Sequence, residues 1–225
     1  MKFLRTVWLV AGKDLRSEMR SRENLITVLF FSVVVLVIFH FAFDLAEIDF
    51  LTVGPGLIWV AIAFSGMLGL QNSFAREQAE DGLAGLLLSA HDASAVYLGK
   101  ALAGLVALLV AEAFFVPIAA LLFNTDLRPV VWPLAVVLTV HTAGLVAVGT
   151  LFAAMAVKVR RGYLLLPVLQ FTMTVPLLMS AVKATAGVLQ TGTLAGAGVW
   201  LRVGLAYDMV FFAVATMLFE PLIED

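Results

Sequence analysis

The sequence contains no cysteine. That removes disulfides, thiolate metal sites and thiol chemistry from consideration. Charge is scarce as well: Asp, Glu, Lys and Arg make up 13% of the 225 residues, against about a quarter in soluble domains. A nucleotide-binding loop is missing. It needs Gly, four residues, then Gly-Lys-Ser/Thr, so that backbone amides cradle phosphates. The two Gly-Lys pairs, Gly12-Lys13 and Gly99-Lys100, lack both the upstream glycine and the following hydroxyl. The HExxH, GxSxG and paired-aspartate patterns of hydrolytic sites are absent too, so no catalytic residue and no metal ligand set is assigned. The first 22 residues spread their charges throughout, and their longest uncharged run, Thr6–Gly12, is too short for the apolar core of a cleavable signal peptide.

What remains is apolar. Hydrophobic residues are 62% of the chain and the mean hydropathy is +1.04. A soluble fold of this length cannot bury so much apolar surface, because the buried fraction is limited by surface-to-volume scaling. A bilayer core about 30 Å thick is crossed by about 20 apolar residues in a helix. Six runs meet that length: Asn24–Phe43, a span within Phe50–Ala75 starting near Pro55, Ala101–Phe123, Val130–Val157, Gly162–Val182 and Val199–Phe219. A membrane barrel would alternate apolar and polar residues, whereas Val33–Ile38 is apolar at every position. The expected fold is therefore an all-α membrane protein with six transmembrane helices.

Basic residues in short loops set orientation. Lys2, Arg5, Lys13, Arg16, Arg20 and Arg22 precede the first span, Arg76 and Lys100 flank the loop after the second, and Lys158, Arg160 and Arg161 follow the fourth. The opposite loops hold only Arg128, Lys183 and Arg202. Both termini are thus expected in the cytoplasm. Residues 1–22 read as an amphipathic helix in the cytoplasmic interface, with Leu4, Val7, Trp8, Ala11, Leu15 and Met19 on one face; an anchor that only sets topology is the plainer alternative. Residues 23–220 form the membrane domain. Within it, the Gly-rich segment 183–198 is too polar for a confident span and too apolar for a solvated loop, which suggests a re-entrant hairpin.

The cytoplasmic loop 75–95 is the most informative stretch. Glu80, Asp81 and Gly82 precede a leucine stripe, Leu83, Leu86 and Leu87, at helical spacing. The stripe is too short to span, and acidic neighbours disfavour an anionic lipid surface. A groove on a separate ATPase subunit would cover it; packing on the chain's own helices is the alternative.

Several motifs together resemble one family. They are Lys13-Asp14-Leu15-Arg16, Arg22-Glu23, Pro55-Gly56-Leu57-Ile58-Trp59-Val60 and Ser73-Phe74-Ala75-Arg76-Glu77. The series continues with Glu80-Asp81-Gly82-Leu83-Ala84-Gly85-Leu86-Leu87-Leu88, Asp92, Tyr97-Leu98-Gly99-Lys100, Ala206-Tyr207-Asp208 and Phe219-Glu220. In order and spacing this is similar to the CcmB family, haem exporter protein B of bacterial cytochrome c maturation, a permease of the ABC-2 exporter type. The resemblance covers nearly the whole chain. It implies an inner-membrane subunit without ATPase activity, an ATPase partner (CcmA), a haem-handling membrane protein (CcmC), a haem chaperone (CcmE), and haem as the handled ligand rather than a resident cofactor. A homodimer is expected, since ABC ATPases work in pairs. A permease of another ABC-2 exporter and a non-transporting membrane scaffold are the competing functions.

Three polar residues sit at span depth: Glu112, His141 and Asp208. An ionisable group at a helix centre costs about 2.5–3.5 kcal/mol unless paired or wetted. Each is a candidate lining for a translocation path, or a satisfied contact between helices; Asp208 has Arg202 within reach on its own helix. His141 and His40 are of the type that ligates haem iron, but a hydrogen bond to a neighbouring helix serves a membrane histidine equally well. On this topology, single cysteines replacing Glu47, Thr125 and Gln190 label from outside intact cells, and those replacing Ser17, Gln78 and Arg161 do not. Outside labelling at Gln78 would invert or break the arrangement.

Overall fold

The computed structural model describes residues 2–42, 50–79, 93–158 and 165–224. Seven helices account for nearly all of them: α1 (Lys2–Ser21), α2 (Glu23–Ala42), α3 (Phe50–Ala79), α4 (Ala93–Leu122), α5 (Val131–Lys158), α6 (Leu165–Thr191) and α7 (Gly198–Glu224). Short 3-10 turns, Arg128–Val130 and Leu194–Ala197, precede α5 and α7. The six helices after α1 are long and apolar enough to cross a bilayer. The chain is a multi-pass, all-α membrane protein. Its outer surface is apolar, with Phe30, Phe41, Leu121, Trp132 and Met217 all largely exposed, as expected where lipid replaces water.

Helix α5 is the central pillar, packed against α3, α4, α6 and α7. Val137, Leu145, Val146, Ala147 and Val148 are buried along it. Small residues bring the neighbours close: a Cβ on Gly204 of α7 would stand 2.8 Å from the His141 ring, and one on Gly66 of α3 would stand 3.1 Å from Leu145. Hydroxyl side chains inside the spans return their hydrogens to the preceding turn. Ser32 donates to Val28 O, Ser65 to Ala61 O and Thr174 to Gln170 O, at 2.6–3.1 Å.

The junction of α1 and α2 is a single residue, Arg22, in the left-handed region (φ 54°). The carboxylate of Glu18 accepts the amide hydrogen of Leu25 at 2.7 Å, so α1 supplies a donor-satisfying cap for α2. The expected apolar face of α1 is divided. Val7, Val10 and Ala11 are buried, whereas Leu4, Trp8 and Met19 are exposed. Its buried edge lies on α4: a Cβ added to Gly99 would come within 2.7 Å of Val10. The helix is therefore fastened to the bundle along one edge, which a single amphipathic face did not anticipate.

The segment 183–198 does not form a hairpin of its own. Helix α6 continues through Lys183 to Thr191, well past the expected end at Val182. Lys183 is exposed while Ala184, Thr185 and Val188 are buried, so the polar positions alternate with a small, packed face. Gly192, at φ 71°, makes the turn. The close glycine pair is Gly187 with Gly196, whose backbones meet across that turn. The loop residues Glu80, Asp81, Gly82, Leu83, Leu86 and Leu87 lie outside the described residues. Gly187→Val forces backbone against backbone, with no flexible side chain to yield. Overpacking costs about 1–3 kcal/mol, and the upper half of that range is expected, read as a lower unfolding midpoint in detergent.

Candidate functional site: a groove between α4 and α5

Helices α4 and α5 are tied at two levels. Near the start of α4 the Tyr97 hydroxyl donates to Ala147 O at 2.9 Å. Further along, the Thr142 hydroxyl donates to Glu112 Oε1 at 2.6 Å. Beyond Glu112 a groove of about 930 Å³ is lined by residues of both helices and of the connection between them. Its walls are apolar, including Val116, Leu121, Val131, Leu134 and Leu138, and its mouth carries Asn124, Thr125, Asp126 and Arg128. Glu112 belongs to the lining and lies ten residues before the end of α4. At 1.5 Å per residue that is about 15 Å, half the hydrocarbon thickness. The groove thus runs from the 123–130 end to mid-bilayer. Its size and its largely apolar lining with few polar groups match small-molecule sites.

Glu112 is 2% exposed. Its second oxygen, Oε2, has no hydrogen-bond partner among the described residues. Pro117, one turn later, also lines the groove; having no amide hydrogen, it cannot satisfy the carbonyl of Ala113 in the usual helical manner. At the mouth Arg128 closes on Asp126 through Nε at 2.9 Å and Nη2 at 3.2 Å, with its amide hydrogen on Oδ1 as well. The side-chain hydrogen bond from Arg128 holds the Asp126 carboxyl below its usual range. Both side chains are exposed, so this pair shapes the mouth and contributes little stability.

His141 sits next to Thr142 but faces the other way, into the bundle. Its Nδ1 is 2.9 Å from Val137 O and its Nε2 is 2.9 Å from Ser180 Oγ. A carbonyl only accepts, so Nδ1 carries the hydrogen given to Val137 O, and the Ser180 hydroxyl lies between Nε2 and Leu177 O, which is 3.0 Å from it. Trp59 meets the ring edge-on at 5.7 Å and donates Nε1–H to Thr185 at 2.8 Å. Both ring nitrogens are engaged and the residue is fully buried. In this arrangement His141 fastens α5 to α6. His40 contacts Phe123 edge-on at 5.4 Å.

Asp208 lies at the middle of α7, over Gly144 of α5. Its Oδ1 has no hydrogen-bond partner among the described residues. Arg202 does not reach it; the guanidinium Nε donates to Gly198 O at 3.2 Å instead. Glu112, His141 and Asp208 therefore do not form one cluster. They occupy the α4, α6 and α7 sides of α5.

A fourth polar contact was not anticipated. Lys100, 4% exposed, holds Asp14 of α1 at 3.2 Å and lies 4.6 Å from the Phe74 ring. The signal was present: Val96, Lys100 and Ala103 share one face of α4, and all are buried. Thr142, Ser180 and Thr185 carried no such signal, because their partners are on other helices.

The family model described as CcmB protein matches residues 5–222, from the first turn of α1 to the end of α7. The chain belongs to the CcmB family. A protein named heme exporter protein B from Pseudomonas aeruginosa is 30% identical over 212 residues, 92% of this chain and 93% of that protein. Proteins of the same name from Bradyrhizobium diazoefficiens and Haemophilus influenzae are 31% and 28% identical over 179 and 172 residues. The former match covers 79% of each chain, and the latter 76% of this chain and 77% of its relative. As a CcmB-family protein the chain carries its intramembrane carboxyl at the floor of the α4–α5 groove, held by one hydroxyl. Thr142→Val removes that hydroxyl and leaves both Glu112 oxygens unsatisfied. Interhelical hydrogen bonds in membranes contribute about 1–2 kcal/mol at most. A loss in that range is expected in denaturant unfolding, and a Thr142→Val/Glu112→Leu double-mutant cycle, in which each single variant removes the contact, should show the two positions coupled.

Proposed function

We propose that this chain is the membrane subunit of an ABC system for cytochrome c maturation, coupling ATP hydrolysis on a separate subunit to haem export or to release of a haem-loaded chaperone. The observation that carries this is the family match along the entire fold, with relatives named heme exporter protein B over most of the chain. The missing P-loop motif supports a separate subunit as the site of ATP hydrolysis. A CcmA-like ATPase is that partner, and CcmC-like and CcmE-like proteins handle the haem. Two copies of this chain serve the two ATPase subunits. The termini face the cytoplasm, and the protein resides in the inner membrane.

On this reading the loop 75–95 is the coupling element, with Glu80, Asp81 and Gly82 opening a short helix and Leu83, Leu86 and Leu87 entering the ATPase. Acidic residues suit a helix N-terminus, where the dipole favours negative charge. Each buried leucine contributes about 1.5–3 kcal/mol, so the three dominate docking. The loop joins α3 to α4, and α4 holds α1 through Lys100 and Asp14. Movement of the loop would thus be delivered to α3, α4 and α1. Replacing Leu83 and Leu87 by Ser is expected to detach the ATPase in a pull-down and to abolish c-type cytochromes in haem-stained membranes, with the variant at normal abundance in the membrane. Full retention of the ATPase by the double variant rules the loop out as the coupling element.

A further inference from the structure

We infer that the outward flank of α1 is a binding surface for anionic phospholipid, with Arg16 and Arg20 at the headgroups and Met19 among the acyl chains. Three stripes run along the helix at helical spacing. The first, Val7, Ala11, Asp14 and Glu18, is turned to the bundle. Val7 and Ala11 are buried, Asp14 holds Lys100 at 3.2 Å, and Glu18 accepts the Leu25 amide hydrogen at 2.7 Å. The second, Leu4, Trp8, Leu15 and Met19, is apolar, and Trp8 and Met19 are each 68% exposed. The third, Arg5, Leu9, Arg16 and Arg20, is exposed along its length. The guanidiniums of this stripe enter no ion pair among the described residues. Charge is thereby sorted by side: both carboxylates of α1 are engaged within the protein, and its arginines stand on the surface.

The occupant follows from that sorting and from where α1 ends. One residue, Arg22, separates α1 from α2, the first span. The last turn of α1, with Met19 and Arg20, is therefore held where the chain enters the bilayer, and Arg22 is exposed there too. Contact of Leu4, Trp8 and Met19 with water is unfavourable, and a zwitterionic surface offers the guanidiniums no net charge. Anionic lipid meets both demands. Acyl chains cover the apolar stripe and phosphates accept hydrogens from the neighbouring arginines, so apolar burial and electrostatic attraction add. Arginine suits that place, because its planar fork meets phosphate oxygens two at a time. An acidic protein partner would meet the arginines as well, but it would keep lipid away from Met19. The binding requires neither an ATPase nor haem.

The chain has no cysteine, so Met19→Cys gives a single attachment point for an NBD fluorophore at an exposed position. The labelled full chain is placed in phosphatidylcholine nanodiscs that hold a small, equal fraction of doxyl-labelled lipid, either phosphatidylglycerol or phosphatidylcholine. Doxyl quenches only at close range. Quenching at least twofold stronger by the anionic lipid is expected, with the excess falling away at high salt as the charges are screened. Arg16→Gln/Arg20→Gln removes two exposed charges and no packed side chain. It is expected to equalise the two lipids while the fluorophore stays quenchable. Equal quenching by both lipids with the arginines in place overturns the inference, and so does an anionic excess that survives the double variant. Absence of quenching by either lipid, which a solvated or protein-covered flank would give, overturns it as well.

Discussion

A polar atom inside a bilayer has no water to complete its hydrogen bonds, and most of this structure follows from that constraint. The backbone answers it by coiling into helices, the only open-chain form that satisfies every amide within one segment. The hydroxyls answer it locally, by returning their hydrogens to carbonyls one turn back, as Thr27, Ser32, Ser65, Thr139, Thr172 and Thr216 do. Larger polar groups cannot reach their own backbone so easily and must find another helix. Each such search fixes a pair of helices: Trp59 with Thr185 for α3 and α6, His141 with Ser180 for α5 and α6, Tyr207 with Met173 O for α7 and α6, Tyr97 with Ala147 O for α4 and α5. Against that background an oxygen such as Glu112 Oε2 or Asp208 Oδ1, with no partner among the described residues, is an exception to the rule that organises its surroundings.

The spans were legible in the sequence because length and hydropathy are one-dimensional quantities that a bilayer measures directly. Six runs of sufficient length became six helices. Where the reading failed, the reason was an average. Segment 183–198 has a low mean hydropathy because Lys183, Gln190 and Thr191 are exposed, yet the buried positions between them, Ala184, Thr185 and Val188, are all that packing against α3 and α5 requires. The same averaging made α1 look like one apolar face. In the structure that face has a protein edge, Val7 and Val10, and an exposed edge, Leu4 and Trp8. Sequence periodicity reports that a side chain avoids water; it does not report whether lipid or protein takes water's place.

The polar candidates were legible as exceptions but not as a site. Glu112, His141 and Asp208 stood out because charge and imidazole are rare in spans. Their different fates depend on partners far away in the chain: Thr142 is 30 residues from Glu112, Ser180 is 39 from His141. Asp208 is separated from its nearest cation, Arg202, by the helical phase of α7, which lets the guanidinium fold back on Gly198 instead. His141 turned out to be the most fully satisfied of the three and Glu112 the most suggestive, an order that residue chemistry alone would have reversed, since histidine is the commoner ligand.

The groove itself is a consequence of how α4 is fastened. At its first turns α4 is closed on α5 by Tyr97, and on α1 by Lys100 and Gly99. Lys100 is buried and Asp14 part-buried, and Asp14 also meets Lys13 at 3.1 Å, so this end of α4 is tied to α1. At mid-length the polar contact narrows to the hydrogen bond between Thr142 and Glu112. Past it, Pro117 supplies no amide hydrogen to the α4 ladder, and the connection to α5 turns at Asn124, in the left-handed region (φ 49°). One oxygen of Glu112 accepts the Thr142 hydroxyl hydrogen, and the other is buried with no hydrogen-bond partner among the described residues.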